Sequence, residues 1–330
     1  MLWFSIHQIV FIIPFFVTLS FASDSENEVA LLELQSYYNQ PLLRGSESSN
    51  RKLQSSMNKP SGPIIHTFYS RHSDPHQIDS EVKDHKRILQ TWKETWKTLG
   101  WTPVILTLDD AKKHPDYEQI SKQLDLIPLK GRSGHTGEYN RLCYLRWLAM
   151  GSDHVSGGWF SDYDVLPLTT PTPEDNINDH SFHVYHRSNV PALLYGSKKE
   201  WNHMISLLMK SGMKHNNDKN IPLWSDMFAL QEIIREKQCY INNEDRNFEK
   251  NDMGITCALY DQVLEGRYIL DGKELEKDDC PRIAEFRVVH FSHDAMRHGV
   301  LKEGQGMSSR GQVMRDWWMK YIEICGSSLS

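Results

Sequence analysis

No lysine- or arginine-rich run interrupts this 330-residue chain, and its formal net charge is −6. Contacts to a nucleic-acid backbone need a concentrated basic face, so nucleic acid is excluded as the partner. No Asn-x-Ser/Thr sequon occurs, which excludes N-glycosylation. Cysteine is sparse: Cys143, Cys239, Cys257, Cys280 and Cys325 are all there is. Four of the five fall in the C-terminal third, where up to two disulfides are expected, leaving Cys143 as a buried thiol. Long apolar runs are equally scarce, and Leu2 to Ala22 is the one such segment.

That segment has an uninterrupted core from Ile9 to Val17, and Ser20-Phe21-Ala22 offers small residues at a cleavage site. It reads as a signal peptide over residues 1–22, or as a membrane anchor, although the apolar core is short for a span. Either way the rest of the chain is expected in the secretory lumen (Golgi or ER) or secreted. Residues 23–62 read as a flexible stem, since Gly45 to Gly62 is rich in Ser, Asn, Lys and Pro and offers no core. The compact domain is expected over 63–330.

Its elements alternate. Ile64 to Ser70 reads as a strand. A helix follows from Ser80 to Leu99, with Val82, Leu89, Trp92, Trp96 and Leu99 on one stripe. Val104 to Leu108 is the second strand, with Asp109 capping the next helix. This order predicts an α/β fold with a mostly parallel central sheet. Ligands in such sheets sit at the carboxyl ends of strands, which makes Phe68 and Tyr69 candidates for the nucleotide edge. Lys130 to Gly137 is a basic, glycine-rich loop that lacks the terminal Gly-Lys-Ser/Thr of a phosphate loop, and reads as a lid or a connector. The next helix, Glu138 to Met150, carries Arg141 and Arg146, whose charges need anionic partners. Later strands are expected at Phe182–His186, Ala192–Gly196 and Ile283–Phe291. Helices are expected at Lys198–Ser211, after a Ser225 cap with Asp226 in the first turn, and at Gln312–Cys325.

The organising stretch is Gly157-Gly158-Trp159-Phe160-Ser161-Asp162-Tyr163-Asp164-Val165-Leu166-Pro167-Leu168. It reads as a short apolar strand ending in two carboxylates, with paired glycines for close approach before them and Val-Leu-Pro-Leu ending the strand after them. On an extended backbone Asp162 and Asp164 point to the same face. Adjacent carboxylates repel and lose hydration, and a divalent cation relieves both costs. Oxygen ligands without thiolate suit Mn²⁺ or Mg²⁺.

The run from Arg146-Trp147-Leu148 through Gly157-Gly158-Trp159 to Asp162-Tyr163-Asp164 resembles the D-x-D region of GT-A glycosyltransferases. The resemblance is to the branch that holds the yeast initiating mannosyltransferase and the clostridial toxin glucosyltransferases. In that pattern a helical Ser-Asp-x-x-Arg precedes Gly-Gly-x-x-x-Asp-x-Asp; here the helical Asp position is Cys143, and the connection to the glycines is longer. Val288-Val289-His290-Phe291 is similar to the family's C-terminal His motif. The resemblance implies a GT-A, Rossmann-like fold and transfer of a sugar from a nucleotide-diphosphate sugar to a glycan, protein or lipid acceptor. It implies metal binding by Asp162, Asp164 and His290, donor contacts by Arg146 and Asp162, and an acceptor or sugar contact by Asp226; Phe68 and Tyr69 join the donor side by their place at the strand's end. Two other readings stand beside it. Asp162-x-Asp164 also approaches the first motif of haloacid-dehalogenase-like phosphatases, with Asp278-Asp279 as their later acidic pair. The third is a catalytically inactive sugar-binding module.

Overall fold

The computed structural model describes residues 62–70, 79–129, 137–170, 181–186, 190–216, 221, 223–236, 239–241, 257–266, 275–300 and 305–326. The chain divides into two units, Met1–Met57 and Asn58–Ser330, and every described residue belongs to the second. The expected signal or anchor segment, the stem up to residue 61 and loop residues 130–136 lie outside the described residues. Among the described residues no helix is long and apolar enough to cross a membrane.

Ten strands are described: β1 (Ile64–Phe68), β2 (Thr102–Leu106), β3 (Gly157–Ser161), β4 (Val165–Pro167), β5 (Phe182–Val184), β6 (Leu193–Ser197), β7 (Cys239–Ile241), β8 (Cys257–Leu259), β9 (Val263–Glu265) and β10 (Val288–His290). The α-helices are α1 (Asp79–Thr98), α2 (Leu108–Ala111), α3 (Tyr117–Leu124), α4 (Gly137–Gly151), α5 (Lys198–Lys214), α6 (Asp226–Arg235), α7 (Cys280–Ile283), α8 (His293–Ala295) and α9 (Arg310–Cys325). Seven strands form one sheet in the order β2-β1-β3-β6-β5-β8-β7, and β4-β10-β9 form a second, smaller one. In the large sheet β6 alone runs against its neighbours, so the fold is α/β with a mostly parallel sheet.

Strand alternation divides the core. Ile65, Trp159, Leu193 and Tyr185 face one apolar cluster, which they share with α1, α9 and the small sheet. Phe68, Phe160, Leu194, Phe182 and Val184 face the other, filled by α4, α5 and α6. Residues one apart on a strand fall in opposite clusters, as the pleat requires. On α1 the buried stripe runs through Ile88, Trp92 and Trp96 and continues to Leu99 just past its end; Leu89 is only half-buried.

Several boundaries differ from expectation. The second strand begins at Thr102, and Thr107, not Asp109, caps α2, because Asp110 returns its carboxylate to the Thr107 amide at 2.8 Å. The late strand shrinks to β10, because Cys280-Pro281-Arg282-Ile283 closes into a helical turn with proline near its start. Ser225 caps α6 as read, accepting from the Phe228 amide at 3.4 Å.

Cys280 and Cys325 are joined, tying the end of α9 to α7 across a sequence separation of 45. The backbone register places Cys239 opposite Cys257. A closed loop of that first length restrains the unfolded chain by about 4 kcal/mol in the chain-entropy treatment. Replacing both Cys280 and Cys325 by serine is therefore expected to lower stability by about 2–4 kcal/mol. Urea unfolding with and without reductant measures it, and an unchanged midpoint would contradict it.

Gly157 shows why the glycine pair precedes the aspartates. Its φ is +81°, and a Cβ there would lie 2.4 Å from the Lys198 amide nitrogen. The left-handed conformation alone costs an L-residue about 1–2 kcal/mol, and the backbone where β6 passes into α5 cannot yield as a side chain would. Gly157→Ala is expected to lose more than that amount in equilibrium unfolding; a wild-type midpoint would show that β6 can move aside.

Candidate metal centre

β3 stops at Ser161, and the two aspartates do not lie on an extended strand. The Asp162 amide donates to Ala192 O at 3.0 Å, and the Val165 amide donates back to Asp162 O at 3.1 Å, closing a turn. The carboxylates are thus placed by a turn and not, as expected, by alternation along an extended strand. Val165-Leu166-Pro167 does not end the chain's extended path either. It begins β4, which carries the chain from the large sheet into the small one.

A buried turn leaves hydroxyl and carbonyl oxygens that water cannot reach, and each needs a partner. Helix α1 supplies two: Trp92 Nε1 donates to Ser161 Oγ at 2.9 Å and Trp96 Nε1 to Val165 O at 3.1 Å. Helix α9 supplies two more, Trp318 Nε1 to Pro167 O at 3.0 Å and Tyr321 Oη to Leu168 O at 3.0 Å. The tryptophans are core side chains whose one polar atom fixes the aspartate turn.

Asp164 is buried and ion-paired with Arg310, the first residue of α9. Arg310 is 1% exposed and also donates Nε to Phe291 O at 2.9 Å. The start of α9 is fixed in turn by Asp84 of α1, whose Oδ1 accepts from the Gly311 amide at 2.8 Å. Asp162 is more open: its side chain keeps 23% of its surface, against 12% for Asp164. Approach to the pair is therefore from the Asp162 side.

Asp162 pairs with Arg146 of α4, and that guanidinium reaches past it to Asp226. Asp226 Oδ2 accepts from Arg146 Nη2 at 2.5 Å, from Arg146 Nε at 3.1 Å and from Trp147 Nε1 at 2.9 Å. Buried at 2% exposure, Asp226 positions Arg146 and has no face for an acceptor or sugar, which corrects the role expected of it. Arg141, one turn earlier on α4, goes elsewhere, to Asp125 at 2.7 Å and Ser121 O at 2.9 Å. Cys143 is half-buried, and burial together with the Asp226 charge pushes its thiol up to about 12.

Phe68 is also corrected: its ring lies in the core and cannot line a nucleotide edge. Tyr69 does reach the turn, standing edge-on to Tyr163 with ring centroids 5.9 Å apart. His290 arrives from the small sheet. In register it faces Val165 of β4 on one side and Glu265 of β9 on the other. Its Nε2 lies 3.5 Å from Asp164 Oδ1 and its Nδ1 lies 3.2 Å from Glu265 Oε1. Glu265 also pairs with His186, just past β5. Asp278 and Asp279 are in a capped turn, where Asp279 accepts from the Glu276 amide at 3.0 Å.

Charge follows geometry. Burial opposes the ionised form of Asp164, but Arg310 and His290 overcome it and hold its carboxyl well below the usual range. Burial pushes Asp162 the other way, against the pull of Arg146 and with the Asp164 charge adding to the shift. His290 loses hydration too, yet Asp164 and Glu265 raise it to about 10. A cation that takes His290 as a ligand displaces that proton.

Asp162, Asp164 and His290 each bring one donor atom, and the three atoms lie within 4.8 Å of one another. Two carboxylate oxygens and one imidazole nitrogen fit a divalent ion, and the imidazole favours Mn²⁺ over Mg²⁺. His290→Ala is expected to weaken Mn²⁺ binding about tenfold or more. His293, three residues on and outside the Asp162, Asp164 and His290 set, serves as the control. Equal losses in the two variants, with equal falls in melting temperature, would mark His290 as packing only.

Arg310, Glu265 and His186 were not foreseen. Arg310 falls two residues before the helix expected from Gln312, and Val263-Leu264-Glu265 is too short to be read as a strand. His186 closes a strand that was expected, and only its partner was hidden. No curated protein matches this chain. A family model matches residues 48–264, a span that holds Arg146, Asp162, Asp164, His186 and Asp226 and stops before Glu265, His290 and Arg310. The chain therefore belongs to the family described as a domain of unknown function, DUF8765.

Proposed function

We propose that this protein is a metal-dependent glycosyltransferase of GT-A type, moving a sugar from a nucleotide-diphosphate sugar to an acceptor hydroxyl in the secretory pathway. One observation carries the reading: Asp162, Asp164 and His290 converge at the carboxyl end of β3. That edge of a mostly parallel sheet is where α/β proteins take their ligands. The acceptor is a glycan, protein or lipid hydroxyl.

In the reaction the bond between the sugar's anomeric carbon and the diphosphate breaks. A bond to the acceptor oxygen forms, and the acceptor proton leaves. Asp162, Asp164 and His290 would hold Mn²⁺ (or Mg²⁺). When bound, the ion stabilises the charge that develops on the departing diphosphate by several kcal/mol. Arg146 holds Asp162 at the open side and places a second positive charge there, fixed from behind by Asp226 and Trp147. Arg310 holds Asp164 at the closed side. Tyr69 and Tyr163 form an aromatic wall beside the turn.

Release of nucleoside diphosphate from a panel of nucleotide sugars, with Mn²⁺ and against a phosphomonoester, tests the reading. Turnover of a nucleotide sugar alone is expected. Hydrolysis of the phosphomonoester instead would establish the dehalogenase-like reading, and sugar binding without turnover the inactive module.

A further inference from the structure

The side chains behind His290 form a continuous chain. His186 donates Nε2 to Glu265 Oε1, and the same carboxylate lies 3.2 Å from His290 Nδ1. His290 Nε2 then lies 3.5 Å from Asp164. The row is built by strand register: β4, β10 and β9 set Val165, His290 and Glu265 side by side across the small sheet. His186 and His290 are both buried, with ring centroids 6.0 Å apart and planes at 89°. Both nitrogens of His290 are therefore engaged, in opposite directions.

An imidazole that ligates through one nitrogen keeps its proton on the other, and an outer carboxylate that takes that proton fixes ring and tautomer together. We infer that Glu265, braced by His186, is a positioning residue of the cation site: it accepts Nδ1–H of His290 and holds Nε2 towards Asp164. The inference rests on the metal reading above. His186, Glu265 and His290 also bring donor atoms within 4.8 Å of one another, so they form a possible ligand set of their own. Glu265 accepts directly from both rings, so each imidazole already has its carboxylate partner.

Mn²⁺ titration of the full chain without nucleotide, followed by electron paramagnetic resonance, separates these. The wild type is expected to bind a single Mn²⁺ with coupling to one imidazole nitrogen. Glu265→Ala should lose about 10- to 100-fold in Mn²⁺ affinity and weaken that coupling. Glu265→Gln, isosteric and still offering an oxygen, should keep the coupling with a smaller loss, and it carries the test should Glu265→Ala not fold. Wild-type affinity and coupling in both variants would overturn the inference and leave the metal reading intact. Two Mn²⁺ per chain, with coupling to two imidazoles, would overturn it by making Glu265 and His186 ligands. A wild type that binds no Mn²⁺ would remove the metal reading and the inference with it.

Discussion

Asp164→Asn is expected to abolish turnover and to cost about 3–5 kcal/mol of stability, whereas Asp162→Asn abolishes turnover with a much smaller cost. The difference lies in what each carboxylate leaves behind. Without the Asp164 charge, the Arg310 guanidinium stays buried against neutral acceptors alone, the substituted amide's oxygen and the Phe291 carbonyl, and His290 loses one of its two carboxylates. Without Asp162, Arg146 still has Asp226, and the site opens to water on that side. Reversal of the buried pair follows: Asp164→Asn with Arg310→Met should recover much of the lost stability and none of the activity.

The pH dependence of the metal-free protein carries the same signature. The folded pKa of Asp164 lies below its unfolded value, so its contribution is full above about 4 and is lost as pH falls towards the folded value. That of His290 lies above its unfolded value, so its contribution is full below about 6.5 and is lost as pH rises through about 10. Asp164→Asn should flatten both limbs of the stability profile. A variant with the wild-type profile would show that the Arg310 pair does not hold the fold.

Arg146→Met is the second large effect, expected to cost about 3–5 kcal/mol and to remove activity. It strands Asp226, whose Oδ2 then keeps only the Trp147 indole, and it frees the Asp162 carboxylate from its ion pair. Arg146→Lys should not rescue it. The guanidinium reaches Asp162 through Nη1 and Asp226 through Nε and Nη2, a fork that one ammonium cannot reproduce. Adding Asp226→Asn to Arg146→Met should restore part of the stability, measured by urea unfolding of the single and double variants. Activity near wild type in Arg146→Lys would show that any cation suffices at this position.

Much of the frame was legible because periodicity reports burial. The stripe on α1, the apolar run of β1 and the Ser225 cap each depend on neighbours a few residues away, which a sequence displays. The aspartate turn was legible in composition but not in shape. Whether Asp162-Tyr163-Asp164 stays extended depends on Ala192 accepting from Asp162 and on the turn closing at Val165, and Ala192 lies 30 residues on. The sequence likewise hides that Asp226 belongs to Arg146 and Asp164 to Arg310, because those pairs span 80 and 146 positions. Short strands were the weakest signal: β9 and β10 have three residues each, too few for a period, yet their register sets Glu265 against His290.

Asp162, Asp164 and His290 are expected to hold a cation that receives a diphosphate. Calorimetric titration of the full chain with UDP and GDP, in Mn²⁺ and in chelator, tests it most directly. One of them is expected to bind in Mn²⁺, chelator to abolish that binding, and Asp162→Asn to lose it while remaining folded. Equal binding in chelator, or Mn²⁺-dependent binding unchanged in Asp162→Asn, would contradict it.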